Sequence, residues 1–344
     1  MDERDYFYIY SPAWVHWSAG IRVLHYLCDL LNRNGFNAFL VLHGEQSESE
    51  TFPGLLTPVL NRQILKTHKQ EARRIVAIYP EGIPGNPLNA QYVIRWILNY
   101  PSLLGGSTNF QDEVLLAYSK ELSTSLEDHS EILVLFVPAL KSSEFEENVD
   151  VPVSEPIKMQ IEPYELIYAQ KFRALGGELP PLKKNQIEIT RFGSSAPTRA
   201  ETLLLLRNAS LVHVFENTTI ITESLLYGVP VLCHENAFFK SLIAEFEMPM
   251  RGISWSSSEI VKTDRTYNLQ ILRNAESSAN NSIKKVFANI ELISKRNINN
   301  SRKLKLPNRG IFTYHSISRA KIIYKQKGMR VLIRFFLNYI SRGN

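Results

Sequence analysis

Cysteine is scarce: Cys28 and Cys233 are the only two in 344 residues. They lie far apart in apolar surroundings, which predicts buried thiols in a reducing compartment rather than a disulfide framework or a metal site. No uncharged apolar run reaches the roughly 18 residues of a membrane-crossing helix. The N-terminus opens on Asp2, Glu3, Arg4 and Asp5, not on a basic segment followed by an apolar one, so no cleaved secretion signal is expected and the predicted location is cytoplasmic. No Asp-x-Asp pair is present to hold a divalent ion, and the densest acidic cluster, Glu144, Glu146, Glu147 and Asp150, falls in a connecting stretch. No metal and no cofactor are expected.

Acid is missing from one place in particular. Residues 292–344 hold thirteen Lys and Arg and no Asp or Glu, although the whole chain carries 39 basic and 34 acidic side chains. The body is therefore acidic and the tail basic. In the tail, Met329, Val331, Leu332, Ile333, Phe335, Phe336, Leu337, Tyr339 and Ile340 are interleaved with Arg330 and Arg334. Such a stretch suits an anionic membrane surface or a terminal helix packed across a domain boundary. Nucleic acid is not expected as a partner, because its phosphate backbone would meet only the tail and no binding motif is present.

Against these absences, residues 211–232, LVHVFENTTIITESLLYGVPVL, are dense in signal. Leu211 to Phe215 read as a buried strand, Ser224 to Tyr227 as helix, and Gly228 and Pro230 as its end before Val231 and Leu232 resume strand character. Asn217, Thr218 and Thr219 then sit where a helix begins. Backbone N–H groups and the positive end of the helix dipole meet there, and two hydroxyls add donors for an anionic oxygen such as that of a diphosphate. Glu223, one turn beyond Thr219, can accept hydrogen bonds from a ribose diol.

The first half reads as an α/β domain. Tyr6–Tyr10 and Ala38–Leu42 are expected strands flanking a helix over Ile21–Asn34, with further strands at Arg74–Pro80, Val114–Ser119 and Ile132–Val137, and a helix at Gln91–Tyr100. Residues 138–163 are rich in Pro, Ser and acid without periodicity and mark an exposed connection, with the domain boundary near residue 150. Beyond it, Glu165–Phe172 and Ile187–Thr190 read as strands and Thr198–Asn208 as a helix. With 44% hydrophobic residues, the length suits two cores: 1–150, then 151–312, with 313–344 as a basic helical tail.

The 211–232 segment resembles the donor-binding motif of GT-B glycosyltransferases, in which a glutamate stands five residues before a Gly-x-Pro-Val turn, as Glu223 does before Gly228. Glu216 precedes Glu223 by seven residues where the usual pattern has eight. The strings YAQKFRALGGELPP, IEITRFGSSAPTRAETLLLLRNA, SAGIRVLHYLCDLLNRNG and YPEGIPGNPLNAQYVIRWILNYP extend a likeness to bacterial cell-surface polysaccharide transferases over roughly residues 6–235. That resemblance implies two Rossmann-like domains with parallel sheets facing across a cleft, a nucleotide-sugar donor, and a lipid-linked or oligosaccharide acceptor of lipopolysaccharide or capsule type. It implies donor contacts from Lys171, Arg173 and Arg191 to the diphosphate, from Asn217, Thr218 and Thr219 at the helix start, and from Glu216 and Glu223. Cations and a helix terminus stabilise the charge that grows on a departing diphosphate, so no metal is required.

On the acceptor side, Trp14, His16, Trp17, Ser18 and Gly20 follow the first strand, at the sheet edge where α/β folds place ligands. Gly20 lets a helix start approach the donor closely, Ser18 offers a hydroxyl and His16 can shuttle a proton. Glu81, after the third strand, is the best placed general base, needed if the reaction inverts configuration and less so if it retains. Two other functions stay in view, a nucleotide-sugar 2-epimerase and a non-catalytic polysaccharide-assembly subunit.

Overall fold

The computed structural model describes residues 5–44, 50–71, 73–103, 106, 110, 113–126, 132–146, 163–190, 196–294 and 306. The chain forms two compact units, each an α/β layer structure with an all-parallel sheet. The first unit runs to Ala139 and takes up the chain again at Ala275; the second begins at Leu140. The position near residue 150 where composition puts the boundary lies outside the described residues, as do Arg191 and the basic tail.

The first unit is built in the order β1 (Tyr6–Ser11), α1 (Ala19–Arg33), β2 (Asn37–Leu42), α2 (Arg62–Gln70), β3 (Ile75–Pro80), β4 (Tyr92–Ile97), β5 (Val114–Ala117), α3 (Lys120–Thr124) and β6 (Leu133–Val134). Its sheet order is β2-β1-β3-β4-β5-β6, every pair parallel. Apolar clusters cover both faces, one around Ile9, Leu27 and Trp96, the other around Tyr8, Leu65 and Tyr79. Strands buried on both sides need no alternation, and that explains the run Tyr6–Ser11.

The second unit continues with α4 (Ser143–Glu146), β7 (Glu165–Tyr168), α5 (Gln170–Ala174), β8 (Gln186–Glu188), α6 (Arg199–Asn208), β9 (Leu211–Val214), α7 (Thr219–Leu226), β10 (Val231–Cys233) and β11 (Ile253–Ser254). Its sheet order is β11-β10-β9-β7-β8, again all parallel. The long helix α8 (Arg265–Ser294) starts here, and from Ala275 it belongs to the first unit, where Phe287 packs edge-on against Phe7 with ring centroids 5.1 Å apart.

Three sequence expectations change. Gln91–Tyr100 is not a helix: Tyr92–Ile97 is strand β4, paired with β3 and β5. Arg95 in its middle is buried, its guanidinium held by Glu113 at 2.7 Å on both oxygens and by the Gly85 carbonyl at 2.7 Å. The expected strand Glu165–Phe172 ends at Tyr168, and its last residues turn into α5. The connection 138–163 contains one turn of helix, α4, whose Phe145 is buried beside Leu226 and Leu272.

Candidate functional site

In the second sheet the strand order reverses between β7 and β9. Loops leaving the carboxyl ends of those two strands diverge, and that crevice is where open α/β sheets receive ligands. The residues brought there are the start of α5 after β7 and the segment Phe215–Thr219 after β9. Thr218 adopts extended backbone angles and caps α7, its hydroxyl oxygen accepting from the Ile220 N–H at 3.4 Å. At the other end of α7, Gly228 with φ of +83° supplies the left-handed residue that stops the helix.

Lys171 and Glu216 knit this edge together. The buried Glu216 carboxylate accepts the backbone N–H groups of Lys171 and Phe172, the latter at 3.1 Å, so it caps the start of α5. The Lys171 ammonium donates to the Asn217 carbonyl, immediately before the two threonines that open α7. Asn217 itself braces the loop after β10: its amide donates to the Ser241 carbonyl at 3.0 Å and its oxygen accepts from the Ile243 N–H at 2.9 Å. Lys171, Thr218 and Thr219 are thus assembled at one edge. Glu216 and Asn217, expected to face a donor, hold the loops that present them.

The other donor-side candidates have different surroundings. Arg173 forms a two-pronged pair with Glu188, at 2.6 and 2.7 Å, which raises its pKa further and directs it to the end of β8. Glu223 is fully buried, and Arg199 Nη1 lies 2.8 Å from its Oε1. Sequence reasoning passed over Arg199, because in Thr198-Arg199-Ala200-Glu201 the visible signal is the capping box that Thr198 and Glu201 do form.

A second missed group sits on the same sheet. Glu165 on β7 is joined to His213 on β9 at 3.0 Å, and His213 Nδ1 to His234 Nε2 at 2.8 Å. The His234 ring stacks on Phe215 with centroids 4.4 Å apart. The Gln186 hydrogen bond, helped by His213, holds the Glu165 carboxyl below its usual range, and burial with the neighbouring His213 pushes His234 down to about 4. These residues are 48 and 21 positions apart in sequence, so only the pairing of β7, β9 and β10 reveals them.

In the first unit the order reverses between β1 and β3. Glu81 follows β3 there and is buried; its carboxylate accepts the Leu98 N–H at 2.9 Å. Burial raises its pKa to about 7 in spite of hydrogen bonds from backbone groups at Leu98 and Asn99. After β1, Trp14 is buried against Phe52 and His25, with ring centroids 4.8 and 5.3 Å away, whereas Trp17 is 53% exposed. His16 is exposed, its ring edge-on to Phe52 at 5.7 Å. Ser18 caps α1 by accepting from the Ile21 N–H at 3.4 Å. At Gly20 an added Cβ would meet only Leu98 Cδ1, at 3.9 Å, so neighbouring protein atoms do not demand glycine.

Among the described residues no three His, Cys, Asp or Glu side chains are grouped to hold a metal ion, and no helix is long and apolar enough to cross a membrane. No protein-family model matches the chain, and no curated protein matches it in sequence. Solved structures similar to it include the glycosyltransferase SnogD from Streptomyces nogalater, 11% identical, with 85% of this chain and 99% of that one covered and a TM-score of 0.36. An alpha-glucosyltransferase in complex with UDP and a DNA 13-mer is 9% identical, over 98% of this chain and 99% of its own, with a TM-score of 0.39. The spinosyn rhamnosyltransferase SpnG complexed with thymidine diphosphate is 12% identical, over 97% of this chain and 99% of its own, with a TM-score of 0.32.

Proposed function

We propose that this chain is a glycosyltransferase of GT-B type that moves a sugar from a nucleotide-sugar to a growing cell-surface glycan, on a lipid-linked or oligosaccharide acceptor. One observation carries the donor half of this reading: the Lys171 ammonium sits on the Asn217 carbonyl, at the amino end of α7 and at the β7/β9 reversal. A cation, two threonine hydroxyls and the start of a helix are a constellation for a diphosphate. In the transfer the acceptor oxygen bonds to the anomeric carbon, the bond from that carbon to the diphosphate breaks, and the electron pair leaves with the diphosphate. Lys171 and the α7 terminus stabilise that charge with no metal in the step. An inverting transfer passes the acceptor proton to a base, for which Glu81 is the candidate.

The acceptor class rests on the sequence resemblance, and the basic segment 313–344 supports attachment to an anionic membrane face from the cytoplasm. Titration calorimetry with UDP, GDP, CDP and dTDP, followed by the sugar conjugates of whichever binds, tests the proposal. Binding of one diphosphate and release of that diphosphate from its conjugate in the presence of a glycan acceptor is the expected result. A chain that binds none of the four is not a nucleotide-sugar transferase.

A further inference from the structure

We propose that Arg199 is a diphosphate-binding residue and that Glu223 acts through it as a positioning residue, without meeting the nucleotide itself; this rests on the donor reading above. The sheet order places β7 between β9 and β8, so α5, α6 and α7, which follow β7, β8 and β9, all begin at one edge. Arg199 is the first residue of α6 and Lys171 the second of α5. Glu223 stands four residues after Thr219, about one turn of 5.4 Å along α7, and its Oε1 is 2.8 Å from Arg199 Nη1. The guanidinium therefore meets α7 through Glu223, the residue one turn beyond the threonines that open the helix.

Burial decides which member of the pair a ligand meets. The Glu223 side chain is 1% exposed and that of Arg199 23%. A ribose diol cannot reach the carboxylate while the arginine covers it, but an anion at the edge meets the guanidinium. Arginine suits that position: five N–H donors in a rigid fork allow it to keep Glu223 on one nitrogen and offer others to phosphate oxygens. A lysine ammonium is a point charge and cannot span both partners in the same planar geometry. The buried carboxylate in turn limits the rotamers open to Arg199, so the fork is presented in one direction.

The test is calorimetric titration of wild type, Arg199→Lys and Glu223→Gln with UDP, GDP, CDP and dTDP and with the matching nucleosides, which lack phosphate. For the diphosphate that wild type binds, both variants are expected to weaken binding about tenfold or more while the matching nucleoside binds as before. Arg199→Lys keeps the charge opposite Glu223, so its thermal midpoint is expected to stay near that of wild type, separating a binding defect from unfolding. Unchanged diphosphate affinity in Arg199→Lys overturns the inference and leaves the donor reading standing. Equal loss of nucleoside and diphosphate binding in Glu223→Gln, with Arg199→Lys silent, assigns Glu223 to the ribose and overturns it too. Absence of any binding by wild type overturns both.

Discussion

The Glu81 carboxylate accepts a 2.9 Å hydrogen bond from the backbone N–H of Leu98, tying the residue after β3 to the residue after β4. Burial lifts its pKa from the ordinary 4.5 to about 7. Between those values the folded protein holds a proton that the unfolded chain has released, so the Glu81 contribution to stability is largest in acid and declines as pH rises through the window. The full difference is about 3 kcal/mol. Glu81→Gln removes the charge and keeps an oxygen for Leu98. It should raise the thermal midpoint at about pH 8 and change it little at about pH 4.5. Equal shifts at both pH values would show that the carboxylate is not titrating in its buried position.

If Glu81 is also the base, transfer should rise with pH through about 7 and vanish in the glutamine variant while donor binding persists. A profile flat across that range, with Glu81→Gln fully active, would remove it from the chemistry.

Lys171 makes a different prediction, because its ammonium donates to the Asn217 carbonyl at the opening of α7. Lys171→Met preserves the backbone N–H that Glu216 accepts and deletes only the ammonium. Diphosphate affinity should fall by about 1.5–3 kcal/mol, the usual worth of a hydrogen bond to a charged group. The dependence of affinity on salt should flatten, since one screened attraction is gone. A variant that binds as tightly as wild type at every ionic strength would place the diphosphate elsewhere.

The sequence made strands and helices readable where a single layer of burial sets the pattern, as in β9, α7 and the Gly228 stop. It failed where tertiary partners decide. Gln91–Tyr100 reads as a helix in sequence, whereas the partners that hold strand β4 and its buried Arg95, Glu113 eighteen positions away among them, come from elsewhere in the chain. Charge and resemblance single out Lys171 in sequence, but the hold on its backbone comes from Glu216, forty-five positions on. Glu223 was visible by its spacing to Gly228, whereas Arg199, which closes it off, belongs to a capping signal that explains itself locally. The Glu165, His213 and His234 chain left no mark in sequence because its members come from β7, β9 and the residue after β10, brought together only by sheet order.

Acid should destabilise the first unit through His25. Its ring is fully buried, its Nε2 is 3.0 Å from the Pro12 carbonyl, and burial lowers its pKa to about 4 from 6.5. Below 6.5 the unfolded chain takes up a proton that the folded ring refuses, so stability falls as pH drops from 6.5 to about 4. The loss amounts to about 3 kcal/mol for this group alone. His25→Gln keeps an N–H for Pro12 and cannot titrate; its denaturant midpoint should vary less than that of wild type over the same interval. Parallel curves for the two proteins would mean that other groups govern the acid response.

Metal dependence separates the proposed donor site from its main chemical rival. Lys171 and the start of α7 supply fixed positive charge at the place where the diphosphate would develop its own, so a divalent ion has no vacant electrostatic task there. Transfer from the nucleotide-sugar identified by calorimetry should therefore proceed at close to its full rate in excess EDTA. Adding magnesium or manganese should change kcat by less than about twofold. Lys171→Met supplies the informative contrast: with the ammonium removed, a divalent ion bridging the phosphates gains a role, and partial rescue by magnesium is expected in the variant but not in wild type. Complete loss of wild-type transfer in chelator, restored by either ion, would overturn metal independence and assign the diphosphate charge to a bound cation instead of Lys171 and α7.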